Sequence, residues 1–441
     1  MKKYIILVFI CLNLIWAGPA AAIDGLGDVE IHGFVAQGYL QSDKYDYLDV
    51  KTDKGSFEYS EMGINFSVTP VSGLRIGAQF FARDLGDLGN DEIELDWAYG
   101  DYRVNNYLGV RGGKMKVAMG LYNEVRDVDA VRTFIMMPNS IYLEQNRDTY
   151  AGIKGVGLYG ELPGGFSYQA AFGVNASSDA QSNITKDIAV SLERKLKLAT
   201  SSRVTQTLIS FGVPAEYAAA QGAAAAAGVS VEPTDSTGRN TKNGALQWAP
   251  RFLDGLRLSG TYFGGETETF MDATVFNSAY LLDNTQPTHV TVPTKIDVDE
   301  ISSTIVSAEY MIGDTLLSGE YAMIKVDIDS FLGNPVPTLD VLGWAVSASH
   351  RFKDQFEIGM YYSDYNTDVD DYNGKDWEKE TGRSRHERYL RDVCLAGRVD
   401  ITEGWIFKLE GHLMRGLDNV EHGSENDPTW YLYAAKVSYN F

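Results

Sequence analysis

Apolar and polar residues alternate with a period of two along most of this chain. The final stretch, 430–441, shows it most plainly. Tyr431, Tyr433, Ala435, Val437, Tyr439 and Phe441 occupy odd positions, while Ala434, Lys436, Ser438 and Asn440 occupy even ones. This is the pattern of a strand with one apolar and one polar face. Aromatic residues at both ends of the apolar face suit a strand that meets lipid. Comparable alternation predicts strands over 29–41, 56–70, 73–83, 93–103, 107–117, 152–162, 165–175, 243–250 and 255–265. Further strands are predicted over 300–312, 315–329, 339–352, 355–365, 387–400 and 403–417, which makes about sixteen with the last. Within 107–117 the parity slips near Gly112 and Gly113, where a bulge is expected.

The connections between these strands alternate long and short. Val71-Ser72, Asn105-Asn106, Pro163-Gly164, Gly313-Asp314, Lys353-Asp354 and Ile401-Thr402 make the short ones. Long segments follow at the other end, among them a loop at 118–151 and an insertion at 176–242 with helices expected over 186–202 and 214–227. A soluble sandwich has no reason to gather its long loops at one end. A transmembrane antiparallel β-barrel does, with an even number of strands. The expected fold class is therefore all-β, a closed barrel of about sixteen strands carrying a helical insertion in one outer loop.

The amino end adds a location. Met1-Lys2-Lys3, an apolar run to Ala17 and the small residues Ala20-Ala21-Ala22 read as a secretory signal peptide over 1–22. Its removal leaves 36 basic against 60 acidic residues, a net charge of −24, and Cys394 as the only cysteine. No internal disulfide can then form. The acidic balance argues against nucleic acid as a partner. No later run is apolar enough for a membrane helix. One face of the strands carries Trp97, Tyr99, Leu342, Trp344, Val346, Ile358, Met360, Leu409 and similar residues, expected to face outward. The other carries Arg75, Arg83, Glu94, Asp96, Arg257, Glu309, Glu320, Arg351, Glu357, Arg398, Lys408 and Glu410. So many charges fit a water-filled lumen better than a dry core.

Taken together, the leader, the strand rhythm, the long loop between the fifth and sixth strands, the aromatic end, and stretches such as Phe80-Phe81-Ala82-Arg83-Asp84-Leu85-Gly86 and Asp96-Trp97-Ala98-Tyr99-Gly100-Asp101-Tyr102 resemble the bacterial outer-membrane porins, general-diffusion and phosphate-selective alike. The insertion at 176–242 is larger than that family's usual loops. The resemblance implies an outer-membrane channel of Gram-negative type with both termini periplasmic, embedded among lipid and lipopolysaccharide. It also implies a homotrimer, and Phe441 as the residue read by the barrel assembly machinery. The channel would pass small hydrophilic solutes and ions.

Chemistry beyond a channel finds little support in the residues. Gly109-Val110-Arg111-Gly112-Gly113-Lys114 lacks the ending of a phosphate loop and lies in a strand. The histidines are scattered, no Cys-x-x-Cys-His is present, and no catalytic, metal or cofactor site is expected. Two alternatives remain: a barrel sheath around a separate multihaem partner in an electron-transfer conduit, and a barrel hydrolase whose catalytic Ser, His and acid would be distant in sequence. The candidate site is the 118–151 loop. Its apolar residues, such as Met119, Leu121, Phe134, Ile135, Met136 and Met137, need a wall to pack on. Among them stand Glu124, Arg126, Asp127, Asp129 and Arg132. Set against Arg75 and Arg83 of the third strand, these charges are expected to line a constriction and set ion preference.

Overall fold

The computed structural model describes residues 28–441, apart from 49, 87–88, 151, 177–182, 329, 332–333, 336–338, 419 and 422–426. The leader expected at 1–22 lies outside the described residues. Among those described, sixteen antiparallel strands close into one barrel. In chain order they are β1 (Val29–Ser42), β2 (Tyr59–Val71), β3 (Leu74–Leu85), β4 (Glu94–Asn105), β5 (Leu108–Lys116), β6 (Gly152–Leu162), β7 (Phe166–Asn175) and β8 (Ser230–Trp248). There follow β9 (Leu256–Phe276), β10 (His289–Ile312), β11 (Thr315–Ile328), β12 (Leu339–Phe352), β13 (Phe356–Asn366), β14 (Tyr389–Asp400), β15 (Trp405–Gly416) and β16 (Thr429–Asn440). Each pairs with its sequence neighbours, and β16 returns to β1 from Phe34↔Asn440 to Ser42↔Leu432. Beyond that ladder Gly33 and Phe441 exchange two backbone hydrogen bonds of 3.0 Å.

Closure leaves no unpaired edge along the part of the wall that all sixteen strands share, as a hydrocarbon surrounding requires. Val306, Met323, Val346, Met360, Leu395 and Leu409 are all exposed on the outside. An apolar band of this kind is costly in water and stable in lipid.

The structure corrects several sequence expectations. β4 changes face part-way. A register shift opposite Gln79/Phe80 leaves Leu95 beside Phe80, yet pairs Trp97 with Gln79 and Tyr99 with Gly77. Gln79 is an inward residue, so Trp97 and Tyr99 share its side and do not face outward; the Arg111 guanidinium lies over the Tyr99 ring at 5.5 Å. Conversely, the β4–β5 register runs unbroken past Gly112 and Gly113, and shifts only at Arg103/Asn105. Gly113 takes up the kink with a φ of +137°, so no extra residue is inserted.

A larger difference concerns β8, β9 and β10. They run to 19, 21 and 24 residues, about twice the ~9–11 that cross a bilayer. β8 begins at Ser230 instead of 243, β9 continues past 265, and β10 begins at His289 instead of 300. The insertion between β7 and β8 is shortened accordingly. It holds helix α2 (Asn183–Ser210) and helix α3 (Ala215–Ala227). A short helix, α1 (Asn139–Tyr142), sits in the 118–151 loop.

The hydrophobic core lies inside the barrel. In the half nearest the long loops, Leu40, Phe263, Ile301, Ile324, Leu390, Met414, Trp430 and Leu432 are buried from the strands. Tyr45, Tyr47, Leu48 and Val50 after β1 join them, as do Met119, Ile135, Ile141 and Tyr142 of the loop and Ala189 and Leu192 of α2. Against the expectation of an open, water-filled lumen, chain segments from the loops pack apolar side chains into this half.

Candidate functional site

Residues 117–150 leave β5 and cross the lumen before β6 begins. The wall holds this loop by its backbone at several heights. Asn243 of β8 accepts from the Ala118 N–H at 2.9 Å and donates to its carbonyl at 2.8 Å. Glu320 of β11 accepts from the Leu121 N–H at 3.0 Å, from the Tyr142 hydroxyl at 2.6 Å and from Ser307 at 2.8 Å. On the far side, Glu410 of β15 accepts from the N–H groups of Ile135 and Met136 at 2.7 and 3.1 Å. Arg398 donates to the carbonyls of Ala130 and Arg132, and Lys408 to those of Asp129 and Arg132. Anchors on β8, β11, β14 and β15 mean that the loop spans the bore instead of lining one side of it.

The loop's charges sort into three settings. Asp127, Arg126, Glu144 and Arg147 form a buried network with the wall. Arg147 pairs with Asp127 and, at 2.9 Å, with Glu61 of β2. Arg126 meets Glu144 at 2.6 Å, and Arg83 approaches the same carboxylate at 3.6 Å. Lys116 pairs with Asp127 and lies 3.1 Å from Asp96. Asp129 stands in a second cluster, 3.1 Å from Lys408 and 3.5 Å from Lys436, with Ser438 donating to it at 2.9 Å. Arg132 is 3.6 Å from Asp129 and donates to the carbonyls of Phe134 and Ile135. Glu124 alone of the candidate acids faces the short-turn half, where Gln169 donates to it at 2.7 Å.

Burial opposes charge on these acids, and the neighbouring cations overcome it. Burial would raise the Glu144 carboxyl, but Arg126, Arg147 and Arg83 hold it down at about 2. Asp127 is held well below the usual carboxylate range against burial by Lys116 and Arg147, and Asp129 by Lys436 and Lys408. For Arg126 the balance goes the other way. Burial pulls its guanidinium below the ordinary value despite Glu144.

Arg75 does not join this assembly. It lies exposed near the β2–β3 turn, where its side chain donates to Ser67 at 3.2 Å. Arg83 does belong, through Glu144. The remaining basic wall comes from Lys116, Lys408 and Lys436, which the expected pairing with β3 left out. Strand parity marks these as inward, but parity carries no information about height along the barrel.

Between the loop and the long-loop half, a gap bounded by Tyr47, Tyr59, Arg132, Met136 and Tyr361 measures only about 20 Å³. The short-turn half is different. A cavity of about 420 Å³ lies against β10–β14, bounded by Tyr122, Thr133, Phe134, Arg351, Glu357 and Arg398. Another of about 340 Å³ lies against β4–β8, bounded by Arg103, Arg111, Glu124, Tyr159, Tyr168 and Gln169.

Solved structures offer a frame for this barrel. The outer membrane channel DcaP of Acinetobacter baumannii is similar over 94% of this chain and 97% of its own, at 10% identity and a TM-score of 0.54. The chain has a porin-like fold. OmpF of Salmonella typhi, solved in complex with daunomycin, covers 95% of this chain and 98% of its own at 11% identity, with a TM-score of 0.52. The outer-membrane expressed OmpT of Vibrio cholerae gives 94% and 98%, 12% identity and a TM-score of 0.52. The sequence matches no protein-family model and no curated protein.

Proposed function

We propose that this protein is an outer-membrane porin, a passive channel for small hydrophilic solutes and ions. In this reading the 118–151 loop holds it narrow. The observation that carries the reading is a closed, apolar-skirted barrel whose lumen keeps two charged cavities on one side of a loop that crosses it. A chain that filled its barrel only for rigidity would have no need of charged, roomy spaces within. Ion preference then belongs to the residues lining those cavities, Glu124, Arg111, Arg351 and Glu357 among them.

The short turns would lie in the periplasm with both termini, and the insertion between β7 and β8 outside the cell. Phe441 would be the residue recognised by the barrel assembly machinery, its place beside Gly33 completing the closure. A homotrimer among lipid and lipopolysaccharide is the expected assembly. Its role is transport, not catalysis. The sheath alternative is disfavoured, because the protein's own loop occupies the space a multihaem partner would need. Planar-bilayer recording of the purified barrel tests the proposal. Small, stepwise, ohmic conductance is expected, and a folded, inserted barrel without conductance steps would refute it.

A further inference from the structure

We propose that Cys394, His412 and Glu410 form a binding site for a thiophilic divalent cation, zinc being the best match, set in the lumen wall behind the loop. The site is a product of register. Cys394 of β14 and His412 of β15 are direct partners across the ladder, and Glu410 lies two residues before His412 on the same face. One donor atom from each lies within 4.8 Å of the others, and no other His, Cys, Asp or Glu group of three among the described residues does so. All three side chains are buried. His412 Nε2 lies 3.3 Å from Glu410 Oε2. With bonds of ~2.0–2.3 Å to sulfur, nitrogen and oxygen, tetrahedral ligands stand roughly 3.3–3.8 Å apart. From separations of at most 4.8 Å, the three donors need to draw together by no more than roughly 1–1.5 Å to close on one ion.

The surroundings are those of a metal ligand set. A ligating imidazole is normally oriented by a carboxylate on its other nitrogen. Asp392 supplies this, with its two oxygens 3.1 and 3.0 Å from His412 Nδ1. Asp392 is itself fixed by the Tyr361 hydroxyl, which donates to it at 2.7 Å. Thiolate, imidazole and one carboxylate suit zinc over magnesium or calcium, which take oxygen donors. Three protein ligands leave a fourth position for water. Coordination requires the thiolate, so the Cys394 proton passes to solvent as the ion binds.

A nucleophilic reading of the same residues fits less well. The thiol is enclosed beneath Phe134 and Tyr361, whose rings stand edge-to-face with centroids 5.0 Å apart, so a substrate has no approach. A single ion is small enough to enter. Glu410 also accepts the N–H groups of Ile135 and Met136, so the ion would tie the wall to the far anchor of the loop.

The test is titration of the purified, folded protein with cobalt(II). A thiolate-to-cobalt charge-transfer band saturating at one equivalent is expected, and zinc should displace it. Cys394→Ser should abolish the band, and Asp392→Asn should weaken binding by about 10- to 100-fold while keeping it. His412→Gln should lose tight binding, provided the barrel keeps its heat-modifiable migration. If that variant fails to fold, Cys394→Ser still decides, because no other cysteine follows residue 22. Absence of the band in the wild type, or equal zinc affinity in wild type and Cys394→Ser, would overturn the site. The readout is metal binding, so it stands apart from whether the barrel conducts.

Discussion

The two halves of the lumen are lined by the same strands and are built on opposite principles. Towards the long loops the bore is narrowed by packed aromatic and aliphatic side chains. Towards the short turns it holds two roomy, charged cavities. β16 shows how one strand serves both. Its inward residues run Trp430, Leu432, Ala434, Lys436 and Ser438, from apolar to charged to hydroxyl. β15 differs, its inward residues Ile406, Lys408, Glu410, His412 and Met414 being apolar at both ends and charged or polar between. Alternation decides which side chains enter the barrel, and a slower gradient along each strand decides what they do there. At mid-height the charges gather into a belt whose partners belong to the loop.

The sharpest way to break this contrast is to remove what separates the halves. Replacing 121–148 with a short Gly/Ser linker should leave a closed barrel, because none of those residues takes part in its strand ladder. Single-channel conductance should rise several-fold. An unchanged conductance in a correctly migrating barrel would mean that the loop does not limit the pore.

Single substitutions should separate the halves energetically. Trp430 is fully buried against Tyr45 and Tyr47, and Trp430→Ala should cost about 3–5 kcal/mol. Arg351 lines the short-turn cavity with its side chain 35% exposed, and Arg351→Ala should cost about 1 kcal/mol or less despite its pairs with Glu357 and Asp400. Urea midpoints of the two variants measure the difference. Equal losses would erase the distinction between packed and solvated halves.

The belt between them should respond to acid. Glu144 titrates at about 2 in the folded protein against an ordinary 4.5, and Asp127 and Asp129 are shifted in the same direction. A depressed carboxylate contributes stability above its unfolded value and loses it as pH falls through the folded one. Loop docking should therefore weaken progressively as pH falls from about 4.5 towards 2. Tryptophan fluorescence and conductance followed over that range should change together. A transition near neutrality would assign control to other groups.

Much of this was legible before any coordinates. Lipid demands an apolar outer face, so alternation marked most strands, and short turns fixed the order of hairpins. The reading failed where that demand lapses. The outer parts of β8–β10 are rich in Thr, Ser and Asp over 230–242, 266–276 and 289–299, and they pair as strands with only a few apolar residues, Met271, Ala273, Ile296 and Val298 among them, buried on one side. Where no lipid is met the outward face need not be greasy, so the signal weakens while the ladder continues. Trp97 and Tyr99 face inward because Asp96 is an extra residue between Leu95 and Trp97, a matter of register that a single strand does not reveal. The apolar loop residues correctly implied a wall. Which charges they would bring together is not readable, since Asp129 meets Lys408 and Lys436 from strands roughly 280 and 310 residues further along the chain.

That sorting of charges gives the finest test of the contrast between halves. Glu124, Asp127 and Asp129 look equivalent in sequence, all acids in one loop. The structure separates them: Asp127 and Asp129 are neutralised by buried cations, while Glu124 borders the 340 Å³ cavity opposite Arg111 and Arg103. A paired buried charge contributes little net field to the pore, but removing it strands its partners at a cost of about 3–5 kcal/mol. An acid at the cavity's edge acts on ions within about 8 Å at physiological salt. Glu124→Gln should therefore leave stability nearly unchanged and move the reversal potential in a salt gradient modestly towards anions. Asp129→Asn should instead lower the urea midpoint and make the current noisy, as Lys408 and Lys436 lose their shared carboxylate. If Glu124→Gln left the reversal potential alone while Asp129→Asn shifted it cleanly in a stable barrel, the ions would have to pass through the belt, and the cavities would not be the selective part of the path.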